Sequence, residues 1–160
     1  MVVRREALVE CGWLERPLLA DRVGKRLVSG GDVEIAQRIR NRGNPLWFTP
    51  DAVLRHRIPN SRATLRYLLR INYGLGECEA LVSALGWSGD WRAWRRAAGR
   101  RAIKAAAQAL LRSQGVVMVS ASLSFTAGFI RGIASCIVMA PEARKALLGS
   151  AAPTRADGSR

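Results

Sequence analysis

The spacing of apolar and polar positions changes along the chain and divides it into four regions. Residues 1–60 carry short apolar runs broken by glycine and proline, a pattern that predicts short strands joined by functional loops. Leu46-Trp47-Phe48 reads as one such strand between Pro45 and Pro50, and Ala52-Val53-Leu54 as a second, leading into Arg55-His56-Arg57-Ile58-Pro59. Between the loops, Val28-Ser29-Gly30-Gly31-Asp32 opens a helix with Asp32 as its N-cap. Val33, Ala36, Ile39 and Arg40 follow at helical spacing until Gly43-Asn44-Pro45.

Helical periods dominate from Asn60 onward. Leu65, Leu68, Leu69, Ala80, Leu81 and Leu85 mark the apolar side of a helix whose middle holds Gly74 and Gly76. Each glycine weakens a helix by about 1 kcal/mol relative to Ala, so a break is predicted there. Gly86-Trp87-Ser88-Gly89 separates it from a helix running from Asp90 to about Gln114. In that helix Trp91, Trp94, Ala98, Ala102, Ala105 and Ala109 share one side, and Arg92, Arg95, Arg96, Arg100 and Lys104 the other. Val116–Ala140 holds one charge, Arg131. Val119, Ala121, Leu123 and Phe125 alternate with serines, which is strand periodicity, but the uninterrupted length favours a helix of roughly 37 Å. It reads as a core or interfacial helix, with a bilayer span as the alternative; Arg131 would cost a span about 2.5–3.5 kcal/mol. The predicted organisation is a core over residues 1–60, a helical extension over 61–86, basic and apolar helices over 90–148, and a frayed tail over 149–160.

Charge and composition narrow the classes. The 160 residues carry 26 Lys+Arg against 12 Asp+Glu, a net charge of +14, and 49% apolar residues. That excludes a disordered or fibrous chain and suits a single domain with a buried core. One histidine and three cysteines without a CxxC pair exclude a four-ligand zinc site and a disulfide framework. The N-terminus lacks the apolar run of a signal peptide, so a reducing, cytoplasmic setting is expected. The cationic excess favours anionic lipid or a polyanion. Arg62, Arg66 and Arg70 could face nucleic-acid phosphate from one helix side, which makes a basic nucleic-acid-binding module one alternative function. It is the less favoured one, because no zinc-finger, helix-turn-helix or aromatic RNA-binding pattern occurs. A non-catalytic membrane-associated protein is another: tryptophans beside arginines on one helix suit a membrane interface.

Two polar residues stand out by position. Asp32 at a loop-to-helix junction can be exposed yet oriented, as a general base must be. His56 follows a short strand, where a neutral imidazole can ligate a cation. Alone, such an aspartate is usually only a helix cap, and such a histidine is more often a surface residue. Their surroundings carry more. Arg4-Arg5-Glu6-Ala7-Leu8, Cys11-Gly12-Trp13-Leu14-Glu15, Leu27 to Ile35, Arg38-Ile39-Arg40 and Gly43 come first. Trp47-Phe48-Thr49-Pro50-Asp51-Ala52-Val53-Leu54-Arg55-His56-Arg57-Ile58-Pro59, Arg62, Thr64, Tyr67 and Arg70 follow. In this order and spacing, Arg4 to about Leu85 resembles the C-terminal half of the catalytic domain of family-2 glycosyltransferases.

That resemblance implies an α/β fold, a partial GT-A (nucleotide-diphospho-sugar transferase) fold with short strands, followed by a mainly helical C-terminal region. It implies inverting transfer of a sugar from a nucleotide-sugar to an acceptor hydroxyl of a glycan or glycolipid, for cell-surface polysaccharide or glycolipid synthesis at the inner face of the cell membrane. Asp32 matches the catalytic base, and Gly12, Trp13 and Gly31 match positions lining donor and acceptor. His56 matches a histidine that helps hold a divalent metal (Mg or Mn) on the donor diphosphate. Glu34 is read as structural. The chain departs from the family in Gly31, where a glutamate is usual, in Cys11, and in having no Asp-x-Asp. The nucleotide-binding half would then be a missing N-terminal partner, and the chain alone would not transfer sugar.

Overall fold

A computed structural model describes residues 2–19, 30–51, 53–87, 90–111 and 115–144. Five helices account for most of them: α1 (Arg5–Glu10), α2 (Gly31–Asn41), α3 (Leu65–Leu85), α4 (Trp91–Leu111) and α5 (Gly115–Val138), with a 3₁₀ turn at Asn60–Arg62. No strand forms among the described residues, which overturns the expected α/β, partial GT-A architecture. Leu46-Trp47-Phe48 and Val53-Leu54 have no regular structure, and no described backbone hydrogen bond pairs them with another segment. Trp47 and Phe48 are 90% and 89% exposed. Aromatic and branched residues favour a strand only where a pleated neighbour covers them, and three prolines in this stretch remove ladder donors. Val28, Ser29, Ala52, Ser88 and Gly89 of the loops read above, the helix end at Gln114 and the tail 149–160 lie outside the described residues.

The helical half follows its sequence closely, with one correction. Thr64 caps α3 by accepting from the Tyr67 N–H at 3.2 Å, and the helix then runs unbroken through Gly74 and Gly76. The expected break is absent because Gly76 admits α5. A Cβ on Gly76 would strike the Phe125 carbonyl, and one on Gly128 the Tyr73 carbonyl. Contact between backbones of this kind needs positions without side chains, and its packing offsets the intrinsic weakness. Ser124 Oγ donates to the Leu69 carbonyl at 2.7 Å, adding a direct tie between the helices. Leu69 with Ser124 and Tyr73 with Gly128 run in the same direction, so α3 and α5 are parallel neighbours.

Asp90 caps α4, accepting from the Ala93 N–H at 2.7 Å. The predicted side is the one that packs: Trp94, Ala98, Ala102 and Ala109 are buried and Trp91 and Ala105 half-buried, while Arg92, Arg95, Arg96, Arg100 and Lys104 are exposed. Trp94 stacks on Trp91 with ring centroids 4.7 Å apart, and its indole N–H donates to Ser83 Oγ of α3 at 3.2 Å. Ala80, Ala84, Leu85, Trp94, Ala98, Ala102, Phe129 and Cys136 form the main core, shared by α3, α4 and α5. The apolar region 116–140 is a helix, as its length suggested. All three cysteines are free and buried.

Candidate site at the start of α2

A second, smaller core of Cys11, Ile35 and Ile39, with Val3, Ala7, Leu8 and Trp13 against it, joins α1 to α2. Around it lie four of the five residues the resemblance singles out. α1 ends in a left-handed turn: Gly12 has φ +67°, its N–H donates to the Val9 carbonyl at 2.9 Å, and the Trp13 N–H donates to Leu8 at 3.2 Å. This pair of bonds is the Schellman cap, whose left-handed position costs any residue with a Cβ. Gly12 is thus fixed by helix termination, and half-buried Trp13 packs against the small core of Cys11, Ile35 and Ile39.

The turn is fastened to α2 from below. Glu34 is fully buried; its carboxylate accepts from the Leu18 N–H at 2.9 and 3.0 Å and from the Leu19 N–H at 2.7 Å. One turn on, Arg38 Nε lies 2.7 Å from Glu34 Oε1. The same guanidinium donates to the Cys11 carbonyl at 3.2 Å and to the Arg16 carbonyl at 2.7 Å. A buried carboxylate and a buried guanidinium therefore compensate each other, and their remaining valences hold residues 11–19 against the helix. This supports the structural reading of Glu34. Arg38 as its partner was missed, although Glu and Arg four apart on a helix is a recognisable signal.

Asp32 is not the N-cap. Gly30 occupies that position, accepting from the Glu34 N–H at 2.8 Å, and α2 begins at Gly31, one residue before Asp32. Gly31 is buried at this junction. Asp32 sits exposed in the first turn, Oδ1 accepting from the Val33 N–H at 2.9 Å. At 100° per residue it projects about 200° round the helix from Glu34, so one acid anchors the helix while the other faces water. Gly12, Trp13, Gly31 and Asp32 thus belong to one turn-and-helix unit.

His56 does not join them. It is exposed in the irregular stretch before Asn60 and shares no described hydrogen bond, ion pair or core cluster with α2. No three His, Cys, Asp or Glu side chains converge among the described residues. One exposed imidazole is a single donor, so any further ligands for the Mg or Mn that the resemblance implies would have to come from outside the described residues. A cleft of about 280 Å³ lies elsewhere, among α3, α4 and α5, bordered by Asn72, Ala105, Gln108, Met118, Ser122 and Phe125. Comparison with known proteins gives no match to a family model, a curated protein or a solved structure.

Proposed function

We propose that this chain supplies the acceptor-side, base-bearing part of an inverting glycosyltransferase, with the nucleotide-sugar held by groups outside these 160 residues. The observation that carries the reading is Asp32, a carboxylate exposed on the first turn of a helix that Glu34 and Arg38 hold rigidly to the Gly12-Trp13 turn. A general base needs that combination of access and fixed direction. In the step it serves, an Asp32 oxygen takes the proton of the acceptor hydroxyl. The freed oxygen bonds to the anomeric carbon from the side opposite the nucleoside diphosphate, which leaves with the electrons of the broken C–O bond. The ordered motifs from Arg4 to Arg70 add support in sequence. No Asp-x-Asp pair occurs in these residues, so donor binding falls to another segment or chain.

The test is sugar transfer in membranes from the protein's own cells, supplied with a panel of labelled nucleotide-sugars, comparing the native chain with Asp32→Asn and Asp51→Asn. Loss of the base lowers the rate about 10²–10⁴-fold. The reading expects that loss for Asp32→Asn alone, with helical content unchanged. Equal incorporation by all three would overturn it.

A further inference from the structure

One end of the α3–α4–α5 bundle is apolar on its outside. Leu65, Leu110, Leu111, Val116, Val117 and Met118 are all at least half exposed there, gathered from the start of α3, the end of α4 and the start of α5. The cations stand just behind. At 1.5 Å per residue, exposed Lys104 lies about 10 Å back from Leu111. The parallel α3–α5 register, with partners 55 residues apart, sets exposed Arg66 level with Ala121, about 7 Å back from Val116. Arg100 is a further turn behind Lys104. No aspartate or glutamate occurs in residues 62–76 or 91–141, so the parts of α3, α4 and α5 that form this end carry cations and no acid.

We infer that this tip inserts shallowly into an anionic lipid bilayer, with Arg66, Arg100 and Lys104 meeting the headgroups. An apolar surface buried 5–10 Å with a basic rim is the geometry of interfacial binding, and a cytoplasmic leaflet supplies the negative potential. α5 is long and apolar enough to cross a membrane, with a mean hydropathy of 1.6. The fold argues against a crossing. α3 lies along α5 and carries Glu77 beside Gly132, and Arg101 of α4 pairs with Glu79 while covering the Phe129 ring. A spanning α5 would draw these charges into hydrocarbon, each at a cost of several kcal/mol unless they snorkel. This inference stands independently of the transferase reading.

Flotation of the full chain with phosphatidylcholine vesicles, with and without phosphatidylserine, tests it. Binding to the anionic vesicles is expected to fall about tenfold or more in Leu110→Asp/Val117→Asp. It should fall about fivefold for each of Arg66→Gln and Lys104→Gln, and little for the remote Arg40→Gln. Depth is read with an environment-sensitive dye on Leu111→Cys or Ile130→Cys, since the native thiols are buried. A response at position 111 and none at 130 supports shallow insertion. A response at both indicates a span and overturns it. So does anionic binding indifferent to the tip substitutions, or a tip variant whose only change is conversion of a dimer to a monomer.

Discussion

Single residues carry sharply different duties within a few positions of one another. Glu34 and Asp32 are two apart, yet one is buried under two backbone N–H groups and a guanidinium and the other is in water. Replacing Glu34 with Ala strands Arg38 as a buried charge, and a loss of about 3–5 kcal/mol is expected in urea unfolding. Asp32→Asn should shift the same midpoint by no more than about 0.5 kcal/mol, since its site is exposed. Gly12→Ala forces a Cβ into the left-handed region and should cost about 1–2 kcal/mol. Cys136 gives a pH dependence of definite sign. Burial pushes its thiol from 9.0 to about 11, so the folded chain keeps a proton that the unfolded chain releases first. Its contribution to stability is intact below about pH 9 and declines as pH rises toward 11, by about 3 kcal/mol at most. Cys136→Ala should flatten that alkaline decline in unfolding midpoints measured at successive pH values.

At the scale of elements, the sequence was most legible where the period was long. The Trp-and-Ala side of α4 is the side that packs, and the 24 residues of α5 are helical despite their strand-like alternation. Local rules failed where a distant neighbour decides. Gly76 looks like part of a helix break because its reason, the backbone of α5, lies some 50 residues onward. Trp47 and Phe48 look like a strand because their type is right, but a strand is defined by what pairs with it. Substituting Gly128→Leu should separate α3 from α5 and cost more than about 3 kcal/mol, whereas the same change at Gly99, which faces open space, should be nearly neutral or slightly stabilising. Thermal melts followed by circular dichroism distinguish the two. In the candidate site, Gly12, Trp13, Gly31 and Asp32 could be named from sequence order, while the Glu34–Arg38 clamp that unites them needed the fold.

For the whole molecule, the two halves meet through a modest seam. Asn41 of α2 donates to the Leu85 carbonyl at 3.4 Å, and Gly30 packs on Cys78, so the Asp32 end rests on the later turns of α3. The apolar tip is at the earlier turns of the same helix. From Leu65 to Cys78 is about 20 Å along its axis. A chain seated by its tip would hold the Asp32 carboxylate well clear of the lipid, toward the aqueous side. Acceptors that project their hydroxyl outward, such as an already elongated glycan, are then expected to label faster in the membrane assay than a single sugar next to its lipid.

The parallel placement of α3 and α5 also dictates an order of events. Ser124 meets Leu69, 55 positions earlier in the chain, and α4 must double back the full height before that meeting takes place. On a ribosome, α3 would therefore emerge with its glycine groove bare and stay so until α5 has been synthesised. Chains interrupted before Gly115 should consequently be the ones that chaperones and proteases capture.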